Sequence, residues 1–409
     1  MRNRRLATVF RAGVVGVAFG LLLLAGVEPA RAAEPYQIGY VTDLSGPFRD
    51  MYAPGLEGFT LYVKALNDAG GIGGHPVQLN ARDDEFSADR AAVRAQELIQ
   101  RVGVNSIWGL SVSGTHAAVH AVASKAKVPV IAKLSGIDAM APPAKDFYYG
   151  AGTLFTVLGA VSGKLAAQTV PNPRGQLAVC AVIETPGGIA LCDRFNNPAF
   201  RAQGFTVVDT VFFPPPPTEF GAIAEKIARL NPAVVAVHPA AFQSVALLRE
   251  LRAGGYKEAY IITNLGLDET SVVEAMKAGG FMEKTYVISR FQMLDDQGPE
   301  LEKFRAAAKR YGTRMRLSAA HVMGWAAGYV MEEALKRCGF PCPGPKLNGV
   351  LQGGLTVNMG SLTGGPLQYT AEDHYGPSWW RLYVYDPNKQ RYSAVTDWVR
   401  FESKPDVSK

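Results

Sequence analysis

The sequence predicts an α/β fold made of two lobes, each a mostly parallel sheet flanked by helices, with a ligand cleft between them. Three observations lead there. Short apolar runs alternate with amphipathic stretches through the middle of the chain. Two such sets, about 36–150 and 153–288, exceed what one sheet holds comfortably. The first unit, Tyr36 to Asp84, reads strand, polar Gly-Pro loop, helix, glycine turn, strand, and such a unit presents its loop and helix N-terminus to a ligand.

Strands are expected at 36–41, 76–82, 105–109, 128–132, 177–183, 205–213, 233–238, 259–263 and 285–290. Leu56, Phe59, Val63 and Leu66 keep helical spacing, as do Ala91, Ala95, Leu98 and Val102, with Ser87 as a cap. Phe220, Ile223, Ile227 and Leu230 make a third stripe, stopped by Asn231-Pro232. A longer helix is expected from about Ser318 to Lys336. Pro214 to Pro217 read as a rigid extended spacer, since none of them can donate to a ladder. From 355 to 401 the pattern turns to antiparallel strands at 355–359, 365–369, 381–385 and 398–401. Gly70-Gly71-Ile72-Gly73-Gly74 follows a helix and ends it; it is no dinucleotide fingerprint.

Residues 1–32 read as a cleavable export signal. Arg2, Arg4, Arg5 and Arg11 precede an apolar run from Gly13 to Ala25, and Ala30-Arg31-Ala32 is a cleavage site. Val27 stands where a lipid-anchored protein would carry cysteine. The expected location is therefore the periplasm, with no membrane span once the signal is removed. The signal holds five of the 42 Lys and Arg and one of the 36 acids. What remains is 37 basic against 35 acidic residues, so no nucleic-acid partner is expected. Export permits disulfides, and closeness in sequence favours Cys180 with Cys192 and Cys338 with Cys342.

Candidate binding residues lie where strands should end. Ser111, Ser113 and Thr115 follow the strand at 105–109 and precede a helix; hydroxyls and free backbone N–H groups there suit a carboxylate. Lys133, Ser135 and Gly136 follow the next strand, and Lys133 is expected to pair with an anionic ligand. Arg49, Tyr52, His238, Phe242, Asn264 and Arg290 occupy equivalent edges, and Glu184, after the strand 177–183, is placed to face an ammonium group. Asp83-Asp84, after a strand and before a capped helix, read as turn residues. Trp379-Trp380 read as packing. Walker and HExxH motifs are missing, and neither cofactor nor metal is expected.

Gly39-Tyr40-Val41-Thr42-Asp43-Leu44-Ser45-Gly46-Pro47, Asn67 to Gly74 and Asp83-Asp84 resemble the opening of the leucine/isoleucine/valine-type periplasmic solute-binding proteins of ABC transporters. Phe220 to Pro232 with the strand after it resembles the same family. The resemblance implies a type I periplasmic-binding fold whose lobes are joined by three crossovers. One lobe would comprise 33–152 and 289–345, the other 153–288 and 346–409. It implies no catalysis, hinge closure on a small solute, and delivery to an ABC permease. In amino-acid-binding members the serine and threonine loops hold the carboxylate, and an acid after the strand at 259–263 meets the ammonium group. This chain has Thr263-Asn264-Leu265-Gly266 there. Lys133 and Arg290 thus favour an aromatic or aliphatic acid over an amino acid.

Two other classes carry specific requirements. An exported α/β hydrolase would need a serine–histidine–acid set; His116, His120 and His238 are available, but Gly109 to Ser113 lacks the closing glycine of a nucleophile elbow. A ligand-sensing receptor domain would share the lobes and need a downstream membrane helix.

Overall fold

The computed structural model describes residues 33–111, 113–135, 143–184, 186–213, 219–238, 241–263, 273, 277 and 282–407. The chain divides into Met1–Glu34 and Pro35–Lys409, and every strand and helix described below belongs to the second unit.

The first sheet has five parallel strands in the order β2-β1-β3-β4-β5: β1 Tyr36–Thr42, β2 Val77–Asp83, β3 Ser106–Gly109, β4 Val130–Ser135 and β5 Tyr148–Leu154. Its central strands are buried on both faces, which is why they read as continuous apolar runs. The edge strand β2 carries polar side chains and is half-exposed. Helices α1 (Arg49–Asp68), α2 (Ala88–Glu97) and α3 (Ser113–Lys125) connect β1 to β4. A π-helical turn at Leu98–Val102 extends α2, and the Ser87 hydroxyl caps it.

The second sheet runs β14-β13-β10-β9-β8-β6-β7. Strands β6 (Leu177–Ile183), β7 (Thr206–Phe213), β8 (Val234–His238), β9 (Ala259–Thr263) and β10 (Thr285–Ser289) are parallel. The late strands β13 (Ser378–Asp386), β14 (Arg391–Ala394) and β15 (Val399–Phe401) join antiparallel. The expected strands at 355–359 and 365–369 shrink to a two-residue pair, β11 Thr356–Val357 and β12 Leu367–Gln368. Around this sheet lie α4 (Phe155–Ala166), α5 (Pro186–Ala190), α6 (Asn197–Ala202), α7 (Gly221–Leu230) and α8 (Ala241–Ala253). The helices α9 (Pro299–Tyr311), α10 (Ala319–Cys338) and α11 (Gly344–Gln352) share a core with α1.

Two strands were not expected, β5 and β14. The glycines of Tyr-Tyr-Gly-Ala-Gly-Thr-Leu hide β5, and Gly152 is there because a Cβ would collide with the Lys133 carbonyl. Glycine also sets the crossing of α1 and α10. A Cβ on Gly58 would strike the His321 carbonyl, and one on Gly324 the Gly55 carbonyl. Asn67 pins the end of α1 to β2 through the Val77 N–H at 2.8 Å and carbonyl at 2.9 Å. Disulfides join Cys180 of β6 to Cys192 of a π-helical turn, and Cys338 to Cys342. Trp380 is buried in the core, and Trp379 lies over Gly364 and Gly365. Pro214 to Pro217 lie outside the described residues.

The chain leaves the core around α1 and α10 after β5, re-enters it with α9 after β10, and leaves it again between β12 and β13. Leu347, Leu351, Leu355, Leu362, Leu367 and Tyr369 belong to the core around α1 and α10. The expected lobe boundary at 345/346 does not match that packing. We propose that the first lobe continues to Tyr369 and that the third crossover is 370–377.

Candidate functional site

The C-terminal ends of β1, β2, β3 and β4 bring Asp43, Asp84, Ser111 and Lys133 to one edge. Ligands of open α/β sheets bind at this edge, where helix N-termini converge. The turn after β3 is unusual. Gly109 (φ 95°) and Leu110 (φ 67°) are both left-handed, and a Cβ on Gly109 would run into the Tyr40 ring. The Leu110 N–H donates to the Val41 carbonyl at 2.6 Å, holding the turn against β1. A bulkier, right-handed residue at 109 would displace the start of α3, whose N-terminus opens onto this edge.

Beneath that turn lies a closed network. The Ser111 hydroxyl donates to Asp84 (Oδ2 at 2.9 Å) and accepts the Asp43 N–H at 2.7 Å. The Ser111 N–H in turn donates to Thr115 Oγ1 at 3.2 Å. Asp43 accepts the N–H groups of Gly46 and Phe48, which fixes the Gly-Pro loop and the entry to α1. Asp83 accepts from the N–H groups of Leu44 and Glu85 and the Ser45 hydroxyl. Asp84 also accepts the Phe86 N–H at 2.9 Å. The three carboxylates lie within 4.8 Å of one another, but backbone N–H groups and hydroxyls engage each of them. Asp83 and Asp84 serve the turn that follows β2, as expected, and Asp43 serves the Gly-Pro loop.

Their charges are unequal. Burial, with Asp43 and Asp83 nearby, pushes Asp84 up to about 6 against the pull of Phe86 and Ser111. Asp83 is partly buried, yet Ser45 and the N–H groups of Leu44 and Glu85 hold it below the ordinary carboxylate value. Tyr52 is buried beside the cluster; burial first, then Asp84 and Asp43, raise its hydroxyl well above the ordinary value.

Lys133 is 3% exposed. Its side chain runs under the first turns of α1. Its Nζ donates to the Tyr52 carbonyl at 3.3 Å, 5.2 Å from the Tyr52 ring centre. A Cβ on Gly55 would overlap it, so Gly55 makes the room. No carboxylate among the described residues pairs with it, and burial pushes its amine down to about 7.

The other expected residues scatter. Arg49 is exposed and pairs with Asp50 at 3.2 Å. Glu184 is exposed beyond β6. His238 Nε2 lies 3.4 Å from Ser162 Oγ, its Nδ1 has no hydrogen-bond partner among the described residues, and burial pushes it down to about 3. Arg290 is buried and donates to the Gly152 carbonyl, on the strand beside Lys133, with no hydrogen bond to the Ser111 network among the described residues. Ser113 and Ser135 are placed in α3 and at the end of β4, and Phe242 in α8. Gly136 and Asn264 lie outside the described residues. The structure thus joins Tyr52, Lys133, Ser111 and Thr115 in one edge. It adds Asp43, Asp84 and Gly55, which were not expected there. The pairing of a lone serine with a distant aspartate leaves no local signal, but the Gly-Leu pair at a strand end was a visible one.

The family model for periplasmic binding proteins matches residues 35–390. The chain belongs to the periplasmic binding protein family. Its fold agrees with solved structures of low sequence identity. A branched-chain amino acid ABC transporter protein from Thermus thermophilus with bound valine is 17% identical, with a TM-score of 0.80 over 90% of this chain and 97% of that one. A solute-binding protein of R. palustris in complex with benzoate is 19% identical, with a TM-score of 0.73 over 89% and 97%. One from Rhodopseudomonas palustris BisB5 in complex with 3,4-dihydroxybenzoic acid is 17% identical, with a TM-score of 0.76 over 90% and 98%. No curated protein matches the chain significantly. Among the described residues of this periplasmic binding protein, no helix is long and apolar enough to cross a membrane.

Proposed function

We propose that this protein captures a small carboxylate-bearing compound outside the cytoplasm, an aromatic or aliphatic acid rather than an α-amino acid, and hands it to an ABC permease without altering it. The export signal expected from the sequence at residues 1–32 and the family membership support the setting. The charge pattern of the first lobe's edge carries the ligand class. Asp43, Asp83 and Asp84 are spent on N–H groups and hydroxyls, so none of them is free for an ammonium group. Lys133 is buried with no described carboxylate beside it.

An unpaired ammonium in a closed cleft costs several kcal/mol. A carboxylate instead gains from the α3 N-terminus, the Ser113 and Ser135 positions and the field of Lys133. Ser111 contributes by holding the turn, because its hydroxyl is already committed. The benzoate and dihydroxybenzoic acid complexes among the structural relatives are consistent with this class; the valine complex is the alternative they leave open. Micromolar affinity corresponds to about 8 kcal/mol, within reach of a few charge-assisted bonds and one apolar face.

Calorimetry on ligand-stripped mature protein decides it. Benzoate, 4-hydroxybenzoate and octanoate are titrated beside valine and leucine. Binding of at least one acid, with the amino acids weaker by tenfold or more, is expected. Tight binding of valine or leucine with no response to the acids rejects the ligand class. Recovery of a chemically changed compound after incubation rejects the receptor role.

A further inference from the structure

The three crossovers meet at one buried side chain. Arg290 opens the second crossover and is 3% exposed. Its Nη1 donates to the carbonyl of Gly152, at the end of β5 where the first crossover begins. Its guanidinium lies 4.7 Å from the ring centre of Tyr375, in the third. Tyr375 returns to the first crossover by accepting the Leu154 N–H at 3.3 Å. Beside it, the Tyr369 hydroxyl donates to the Gly150 carbonyl at 2.8 Å, and the Gly150 N–H donates to the His374 carbonyl at 3.0 Å. β5, which leads into the first crossover, is therefore tied to the third by one backbone bond and the Tyr375 hydroxyl, and Arg290 ties the second to both.

The chemistry of this junction is that of a joint rather than a lock. A bidentate carboxylate would fix the guanidinium in one plane and direction. Among the described residues Arg290 has a carbonyl and an aromatic face instead, contacts that tolerate sliding and rotation. Methionine fills similar length without the donors or the cation. Lysine keeps the charge but loses the planar group that lies over the ring.

We propose that Arg290 is the positioning residue of the hinge, setting the resting angle between the lobes by bridging all three crossovers, and that it does not touch the ligand. This rests on the reading that the lobes close on a solute, but its test needs no ligand.

All four native cysteines are in disulfides, so two added ones can be spin-labelled selectively. Val93→Cys on α2 and Glu225→Cys on α7 are exposed positions outside the junction. Interlobe distances are measured by pulsed electron resonance on ligand-free protein. Arg290→Met is expected to shift and broaden the distance distribution. Arg290→Lys should do so less, and Tyr375→Leu should reproduce the shift. The double variant Arg290→Met with Tyr375→Leu should add little further. If Arg290→Met misfolds, Arg290→Lys and Tyr375→Leu decide. Distributions that superimpose on the parent overturn the proposal, as does Arg290→Met losing benzoate binding while its ligand-free distances stay unchanged. If the parent protein binds no acid, the ligand class fails while these distances still judge Arg290.

Discussion

The Ser111 hydroxyl and the Asp84 carboxylate form a buried pair, 2.9 Å apart, that links the loop after β3 to the end of β2. A serine expected to face a ligand thus holds the loop that would face it. The hydroxyl accepts the Asp43 N–H as well, so three strand ends depend on one oxygen.

Replacing that oxygen should be costly. Ser111→Ala leaves the Asp43 N–H without its acceptor and strips Asp84 of a donor. A loss of about 1–3 kcal/mol is expected, read as a lower midpoint in chemical denaturation. A midpoint equal to the parent's would show that the network contributes nothing to stability.

Asp84 should give stability a measurable pH slope. Its folded value is raised from the ordinary 3.8 to about 6, so the folded chain binds this proton more tightly than the unfolded chain. Stability from this group is present below about pH 4 and lost as pH rises through 6. Asp84→Asn should flatten the parent's slope between pH 4 and 6.5, by roughly 1–3 kcal/mol across the window. Melting temperatures over that range test it; parallel curves for parent and variant refute it.

Lys133 has the opposite sign. Its value falls from 10.5 to about 7, so the unfolded chain holds the extra proton across that window and stability rises with pH through it. Lys133→Met should stabilise the ligand-free protein at pH 7–8 and weaken benzoate binding tenfold or more. In the parent at pH 8, benzoate should bind with proton uptake, as its negative charge favours the ammonium form. Titrations in buffers of different ionisation enthalpy measure that uptake, and identical heats would contradict it.

The helix glycines separate stability from site. Gly58→Ala would drive a Cβ into the His321 backbone, and roughly 1–3 kcal/mol of destabilisation is expected. Gly55→Ala would meet the flexible end of Lys133. It should cost less stability and alter acid binding more. Equal effects on both properties would mean that Lys133 does not sense Gly55.

The disulfides close loops of different size, with sequence separations of 12 and 4. Loop entropy assigns about 3 kcal/mol to Cys180–Cys192 and about 2 kcal/mol to Cys338–Cys342. Removing each pair by alanine should lower the unfolding midpoint in that order. The reverse order would place the larger effect in native packing.

The sequence by itself determined the alternation of strands and helices, the switch to antiparallel strands near the C-terminus and the glycine turn after α1. Each is written locally, because hydrophobic spacing, caps and φ-permissive residues act over a few positions. Only the tertiary structure decided that Ser111 is committed to Asp84, that Lys133 runs under α1 into the room left by Gly55, and that Arg290 sits between crossovers. Those outcomes depend on which distant atoms come within about 3 Å of a side chain, and residues 27, 81 or 138 positions apart leave no periodic trace of their meeting. The same reason hid β5: its glycines weaken the strand pattern, and the Lys133 carbonyl that requires one of them lies on the neighbouring strand.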